Sequence, residues 1–180
     1  MVSDDADAAA AREAGFGGEL VVGRLPADRP AVDALRAYGF ADGTRPVLRL
    51  SGEVVAVKRV GADVGVSYGY TYRTTAPTTL ALIGLGYADG IPRLASNRAS
   101  VLIAGARRPI VGRIAMDQFV VDCGDGSTGL APELGDEAVL FGDPDAGSPT
   151  AAEWAAATER TAPELTAGLG PRIRRDEASA

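Results

Sequence analysis

From residue 52 to residue 141 the chain is a succession of short β-branched runs separated by glycine turns, and few architectures accept that pattern. The runs predict strands over 52–60 (with a lead-in from Val47), 79–85, 100–104, 109–114, 118–122 and 137–141. Asp89-Gly90, Gly105, Gly112, Asp125-Gly126 and Gly142 punctuate them as turns. Strands this short and this closely spaced must run antiparallel, because a parallel pair needs a crossover of a dozen or so residues. The fold class is therefore mainly β: an antiparallel barrel or sandwich with one or two short helices. One helix is expected over 29–38, with Asp28 as N-cap, Pro30 in the first turn and Gly39 as the stop. The other follows Pro149, where Thr150-Ala151-Ala152-Glu153 reads as a capping box. Residues 1–18 are expected to be a flexible lead-in, 19–176 the β-domain, and 177–180 a tail.

What the chain lacks excludes whole classes of chemistry. There is no histidine and one cysteine, which removes internal disulfides, Cys/His zinc sites, Ser-His-Asp triads and Cys-His dyads. Cys123, at the end of an apolar run, reads as a small buried hydrophobe. No metal site is expected, since Asp143-Pro144-Asp145-Ala146-Gly147 has the composition of a turn. A net charge of −6 argues against nucleic acid as a partner. The one basic cluster, Arg172-Ile173-Arg174-Arg175, is followed at once by Asp176 and Glu177 and reads as a solvated end or an ion-pair element. No apolar run approaches the roughly 20 residues that span a bilayer, and the acidic start lacks the features of a secretory signal. A cytoplasmic protein with no membrane association is the expectation.

Three stretches could carry chemistry. In Ser67-Tyr68-Gly69-Tyr70-Thr71-Tyr72-Arg73 the tyrosines alternate, so on a strand they would share one face. They could pack on a core or interface, or one could serve as an acid or base. A tyrosine ionises near pH ~10, so that role needs a positive charge or donors nearby, and Arg73 and Arg113 are candidates. Gly84-Leu85-Gly86-Tyr87-Ala88-Asp89-Gly90-Ile91-Pro92-Arg93 reads as a strand ending in a glycine-rich turn, without the strand-loop-helix context of a nucleotide fingerprint. In Gly112-Arg113-Ile114-Ala115-Met116-Asp117-Gln118 the methionine would ordinarily fill a core.

Together and in this order, the three stretches resemble the C-terminal domain of alanine racemases, enzymes that use pyridoxal phosphate. The resemblance extends upstream to Arg45-Pro46 and downstream to Leu169-Gly170-Pro171-Arg172. It implies that Tyr68 is the catalytic tyrosine, exchanging the α-proton on one face of the substrate. Tyr87 would gate the entrance, and Met116 would present a backbone amide to the substrate carboxylate. Arg93, Arg113 and Asp117 would line the entry corridor. In that family these residues reach into the opposite subunit of a head-to-tail dimer, which implies a homodimer or association with a separate barrel chain.

Removing an α-proton needs an electron sink, which pyridoxal phosphate supplies through a lysine Schiff base, and inversion needs a second proton-transfer group. The resemblance places that lysine on an N-terminal barrel of roughly 200 or more residues. The only lysine here, Lys58, matches an ordinary surface lysine. Pro163 stands before Glu164 where the family has a tyrosine that contacts the cofactor phosphate. No cofactor is therefore expected on this chain alone, and pyridoxal phosphate is implied only where a partner barrel completes the site. Three readings follow: half of a racemase completed by such a barrel, a non-catalytic small-ligand-binding or protein-interaction module, or a fragment without a present role.

Overall fold

The computed structural model describes residues 9, 12, 13, 34–40, 43–127 and 130–176. The chain divides into two units, Met1–Ala37 and Tyr38–Ala180. In the first, a short helix α1 spans Ala34–Ala37. The expected cap at Asp28, Pro30, most of the lead-in over 1–18 and the tail over 177–180 lie outside the described residues.

The second unit is built on six antiparallel strands: β1 (Leu50–Val60), β4 (Thr78–Ile83), β5 (Ser100–Ile103), β6 (Ala106–Val111), β7 (Phe119–Asp122) and β8 (Glu137–Phe141). They close in the order β1-β4-β7-β6-β5-β8. A separate hairpin pairs β2 (Gly65–Val66) with β3 (Tyr72–Arg73). Closure depends on β1. Its first residues pair with β8, from Leu50↔Phe141 to Glu53↔Glu137, and its remainder pairs with β4, from Val54↔Ile83 to Val60↔Thr78. The register shifts between Val54 and Ala56, and a bulge there bends one strand to serve both edges.

Side chains alternate as a barrel requires. Ala81, Ile83, Val101, Ile103, Phe119 and Val121 are buried, while their strand neighbours are less so. β5 and β6 meet through Ala104 and Gly105, both left-handed at φ 49° and 75°, the two-residue turn that matches strand twist. The strand expected over 109–114 ends earlier, at Val111, because Gly112 turns left-handed at φ 75° and its N–H goes to Asn97 Oδ1 at 2.6 Å.

Two helices lie beside the barrel: α2 (Ala151–Thr158) and α3 (Ala162–Ala167). The expected box forms on α2: Glu153 N–H donates to Thr150 Oγ1 at 3.1 Å, and Thr150 N–H to Glu153 Oε2 at 2.5 Å. Thr161 and Glu164 repeat it on α3, with Pro163 in the first turn, where a missing N–H costs nothing. Trp154 is the main anchor. It is buried edge-on to Phe141 with centroids 6.4 Å apart, and its Nε1 donates to Ser100 O at 3.0 Å. Cys123 is buried as expected, and burial pushes its thiol up to about 11. The Asp143–Gly147 stretch is a turn capped by its own Asp143 side chain, and no cluster suited to a metal occurs among the described residues. None of the described helices is long and apolar enough to cross a membrane.

Candidate functional site

The three tyrosines do not share a face, because residues 67–71 form a turn rather than a strand. Ser67, Gly69 and Tyr70 all adopt left-handed φ, at 58°, 78° and 44°. Each ring therefore goes elsewhere. Tyr72 donates to Asp122 Oδ2 at 2.7 Å, and Tyr70 covers Gly65, whose added Cβ would meet the ring at 2.4 Å. Tyr68 turns to the loop after β6, where its hydroxyl donates to Ile114 O at 2.9 Å. Ser67 Oγ donates to Arg113 O at 2.7 Å beside it, so consecutive residues hold both partners in place.

Of the two arginines expected near a working tyrosine, Arg73 pairs with Asp63 at 2.9 Å and takes no part. Arg113 lies over the Tyr68 ring, 6.0 Å from its centroid. Arg93 reaches the oxygen itself: its Nη2 donates to Tyr68 OH at 3.2 Å, while the same guanidinium covers Tyr87 at 5.5 Å. The phenol thus accepts from a cation and donates to a carbonyl.

Tyr87 opens a tight turn, Tyr87–Asp89, which lies against the methionine loop. Tyr87 N–H donates to Ala115 O at 3.0 Å and Ala88 N–H to Met116 O at 2.9 Å. Gly86 permits the approach, since a Cβ there would sit 2.3 Å from Met116 O. Met116 is not the core filler its type suggests: its side chain is 54% exposed, and among the described residues nothing accepts from its N–H. Tyr68 and Tyr87 are about equally open, at 45% and 44%. Tyr68, Arg93, Tyr87 and the 114–116 backbone therefore form a closed circuit on an exposed face. Ser96 and Asn97 brace it through Ile114 N–H at 3.0 Å and Gly112 N–H.

Asp117 turns from this circuit to Arg172, whose Nη2 donates to it at 2.6 Å. The same guanidinium donates through Nε to Asp89 at 2.9 Å. Of the basic cluster, Arg172 is thus an ion-pair element and Arg174 pairs locally with Asp176. The link to Asp89 escapes sequence reasoning, and its only signal is the Leu169-Gly170-Pro171-Arg172 string.

Among the described residues, neither of the two positions the resemblance singles out for the cofactor, Lys58 and Pro163, lies in the Tyr68 circuit. Lys58 is exposed on β1, beside a hollow lined by Ala56, Val60, Val64, Val66, Leu80 and Leu82, without an arginine. Pro163 has no side-chain donor to offer.

Residues 47–177 match the family model described as "Alanine racemase, C-terminal domain". The alanine racemase of Thermobifida fusca is 50% identical over 133 residues, covering 74% of this chain and 34% of that protein. The solved alanine racemase of Streptomyces coelicolor A3(2) is 52% identical with a TM-score of 0.69, covering 74% of this chain and 34% of the other. That of Bartonella henselae, with covalently bound pyridoxal phosphate, is 32% identical with a TM-score of 0.70, covering 79% and 40%. The chain spans about a third of the length of the curated relatives it matches.

Proposed function

The chain belongs to the alanine racemase C-terminal domain family, and we propose that its tyrosine-arginine face completes the site of an amino-acid racemase. In this reading Tyr68 is the proton-transfer group on one face of the substrate α-carbon. The observation that carries it is the Tyr68 hydroxyl, held between Ile114 O and the Arg93 guanidinium on an open surface. A structural tyrosine needs no such cation, and the half-buried Tyr72 donates its hydroxyl to the Asp122 carboxylate.

The other roles follow from position. Met116 offers to a carboxylate a backbone N–H with no acceptor among the described residues, and Tyr87 with Arg93 narrows the approach to Tyr68. Arg113 and Asp117 flank that approach. Arg93 and Arg113 place positive charge along a route for an anionic substrate end. Alanine is the proposed substrate, from the relatives' names.

Pyridoxal phosphate would supply the electron sink for α-proton removal. The residues described here do not fit it, since neither exposed Lys58 nor Pro163 lies in a cradle for phosphate. The cofactor and the second proton-transfer group would belong to a barrel, on a separate chain or elsewhere on a longer one.

The test replaces the matching C-terminal portion of the Streptomyces coelicolor enzyme with residues 47–177 of this chain. Racemisation and deuterium uptake from D₂O are then followed. Racemisation is expected, with Tyr68→Phe lowering it by about 10²–10⁴-fold, the range for a lost general acid-base group. A folded, cofactor-loaded hybrid that is inactive, or is indifferent to Tyr68→Phe, would favour the non-catalytic module.

A further inference from the structure

The geometry points to Arg172 as the positioning residue of this site, a fork that sets the distance between the Tyr87 turn and the Met116 loop without touching substrate. The inference builds on the reading above but rests on contacts of its own. Arg172 lies 83 positions from Asp89 and 55 from Asp117 in sequence, yet one guanidinium engages both carboxylates. Those carboxylates belong to the two loops that form the entrance. Asp89 closes the Tyr87 turn and Asp117 follows Met116.

The Asp89 end is built in. Its side chain is only 6% exposed, and Oδ2 accepts from Gly86 N–H at 2.8 Å while Oδ1 accepts from Arg172. Its carbonyl accepts from Gly170 N–H at 2.8 Å. The two backbones approach so closely that a Cβ on Gly90 would lie 2.1 Å from Gly168 O. The Tyr87 turn is therefore gripped on both sides. Residues 168–172 hold one side, and the Ala115 and Met116 carbonyls hold the other.

The Asp117 end is open, with the carboxylate 58% and the arginine 51% exposed. An ion pair this wet adds little to global stability. What it does add is geometry. A planar fork fixes two carboxylates at one relative placement, whereas a lysine ammonium is a single point that serves them one at a time. Arg172 thereby aims the Met116 N–H and sets the gap beside Tyr87.

The test begins with the full 180-residue chain, with no cofactor or substrate present. Amide hydrogen exchange is read by NMR at Tyr87 and Ala88, which bond the methionine loop, and at Ile110 and Cys123 as barrel controls. Arg172→Gln should speed exchange about tenfold or more at Tyr87 and Ala88 and leave the controls unchanged, because local opening is separable from global unfolding. Asp117→Asn, an exposed change that spares the Asp89 contact, should act in the same direction, and Arg172→Lys should fall between wild type and Arg172→Gln. Unchanged exchange at Tyr87 and Ala88, or equal acceleration at all four amides, would overturn the assignment. In the hybrid racemase, Arg172→Gln should raise KM about tenfold with kcat within about twofold, since misplacement acts on substrate approach. A fall in kcat alone would count against it. Should the hybrid be inactive, the exchange results still decide the role of Arg172.

Discussion

Gly86→Ala isolates the contact between the Tyr87 turn and the methionine loop. Gly86 sits at φ −150°, ψ −164°, extended backbone that alanine adopts freely, so any cost is steric. The new methyl would lie 2.3 Å from Met116 O and 2.4 Å from Ala115 O, both backbone atoms that cannot rotate aside. Ordinary contact begins near 3.4 Å, so the loop must retreat by about 1 Å. The bonds from Tyr87 N–H and Ala88 N–H, now 3.0 and 2.9 Å, would stretch to about 4 Å and cease to be hydrogen bonds. At about 1 kcal/mol each, their loss predicts a destabilisation of ~2 kcal/mol in urea unfolding. A displacement of ~1 Å at Met116 should also cost the hybrid racemase about 10²-fold in activity. Stability within ~0.5 kcal/mol of wild type, with both amides still protected, would refute the reasoning.

Two further expectations concern pH and association. The Arg49 guanidinium, bonded to both Glu137 oxygens at 2.6 and 2.5 Å, holds that carboxyl at about 2, below its ordinary 4.5. A lowered folded value stabilises above pH 4.5 and is lost as pH falls toward about 2. The pair is about half exposed, 49% and 52%, so solvent screening trims the contribution to ~1 kcal/mol or less. Glu137→Gln should therefore cost that much at pH ~7 and almost nothing near pH ~2, and an equal cost at both would contradict the pairing. Val55, Val57 and Val64 remain exposed around the β1 side of the domain. Such a surface should drive self-association or capture of a barrel partner, and sedimentation showing only monomer at high concentration would sink that expectation.

The strands were legible because barrel strands repeat a local rule. Short runs rich in β-branched and other apolar residues recur, and a glycine follows each within a residue or two. Both capping boxes follow a four-residue rule of the same kind, and Thr161-Ala162-Pro163-Glu164 could have been read as readily as Thr150-Ala151-Ala152-Glu153. Closure was not legible. It depends on which residues of β1 face β8 and which face β4, and the bulge near Val55 that divides them has no mark in a run where every residue suits a strand.

The tyrosine stretch shows why local pattern stops short of a site. Alternation predicts a shared face only if the backbone is extended, and three left-handed residues in the 67–70 turn cancel that premise. Ser67 and Tyr70 carry no glycine signal, so their φ values come from tertiary bonds such as Ser67 Oγ to Arg113 O rather than from propensity. Of the two arginines expected beside a working tyrosine, Arg113 lies over the Tyr68 ring and Arg73 does not approach it. Arg73 is nearest Tyr72 in sequence and serves Asp63, whereas Arg93, 25 positions from Tyr68, supplies the hydrogen bond. The motifs that identify the family were readable one by one, but the site consists of contacts between them. Arg172 is the extreme case, since a residue placed in a basic end segment engages the carboxylates of both the Tyr87 turn and the methionine loop. With 24 carboxylate side chains to 18 basic ones, each arginine has several possible partners, and only the folded backbone selects among them.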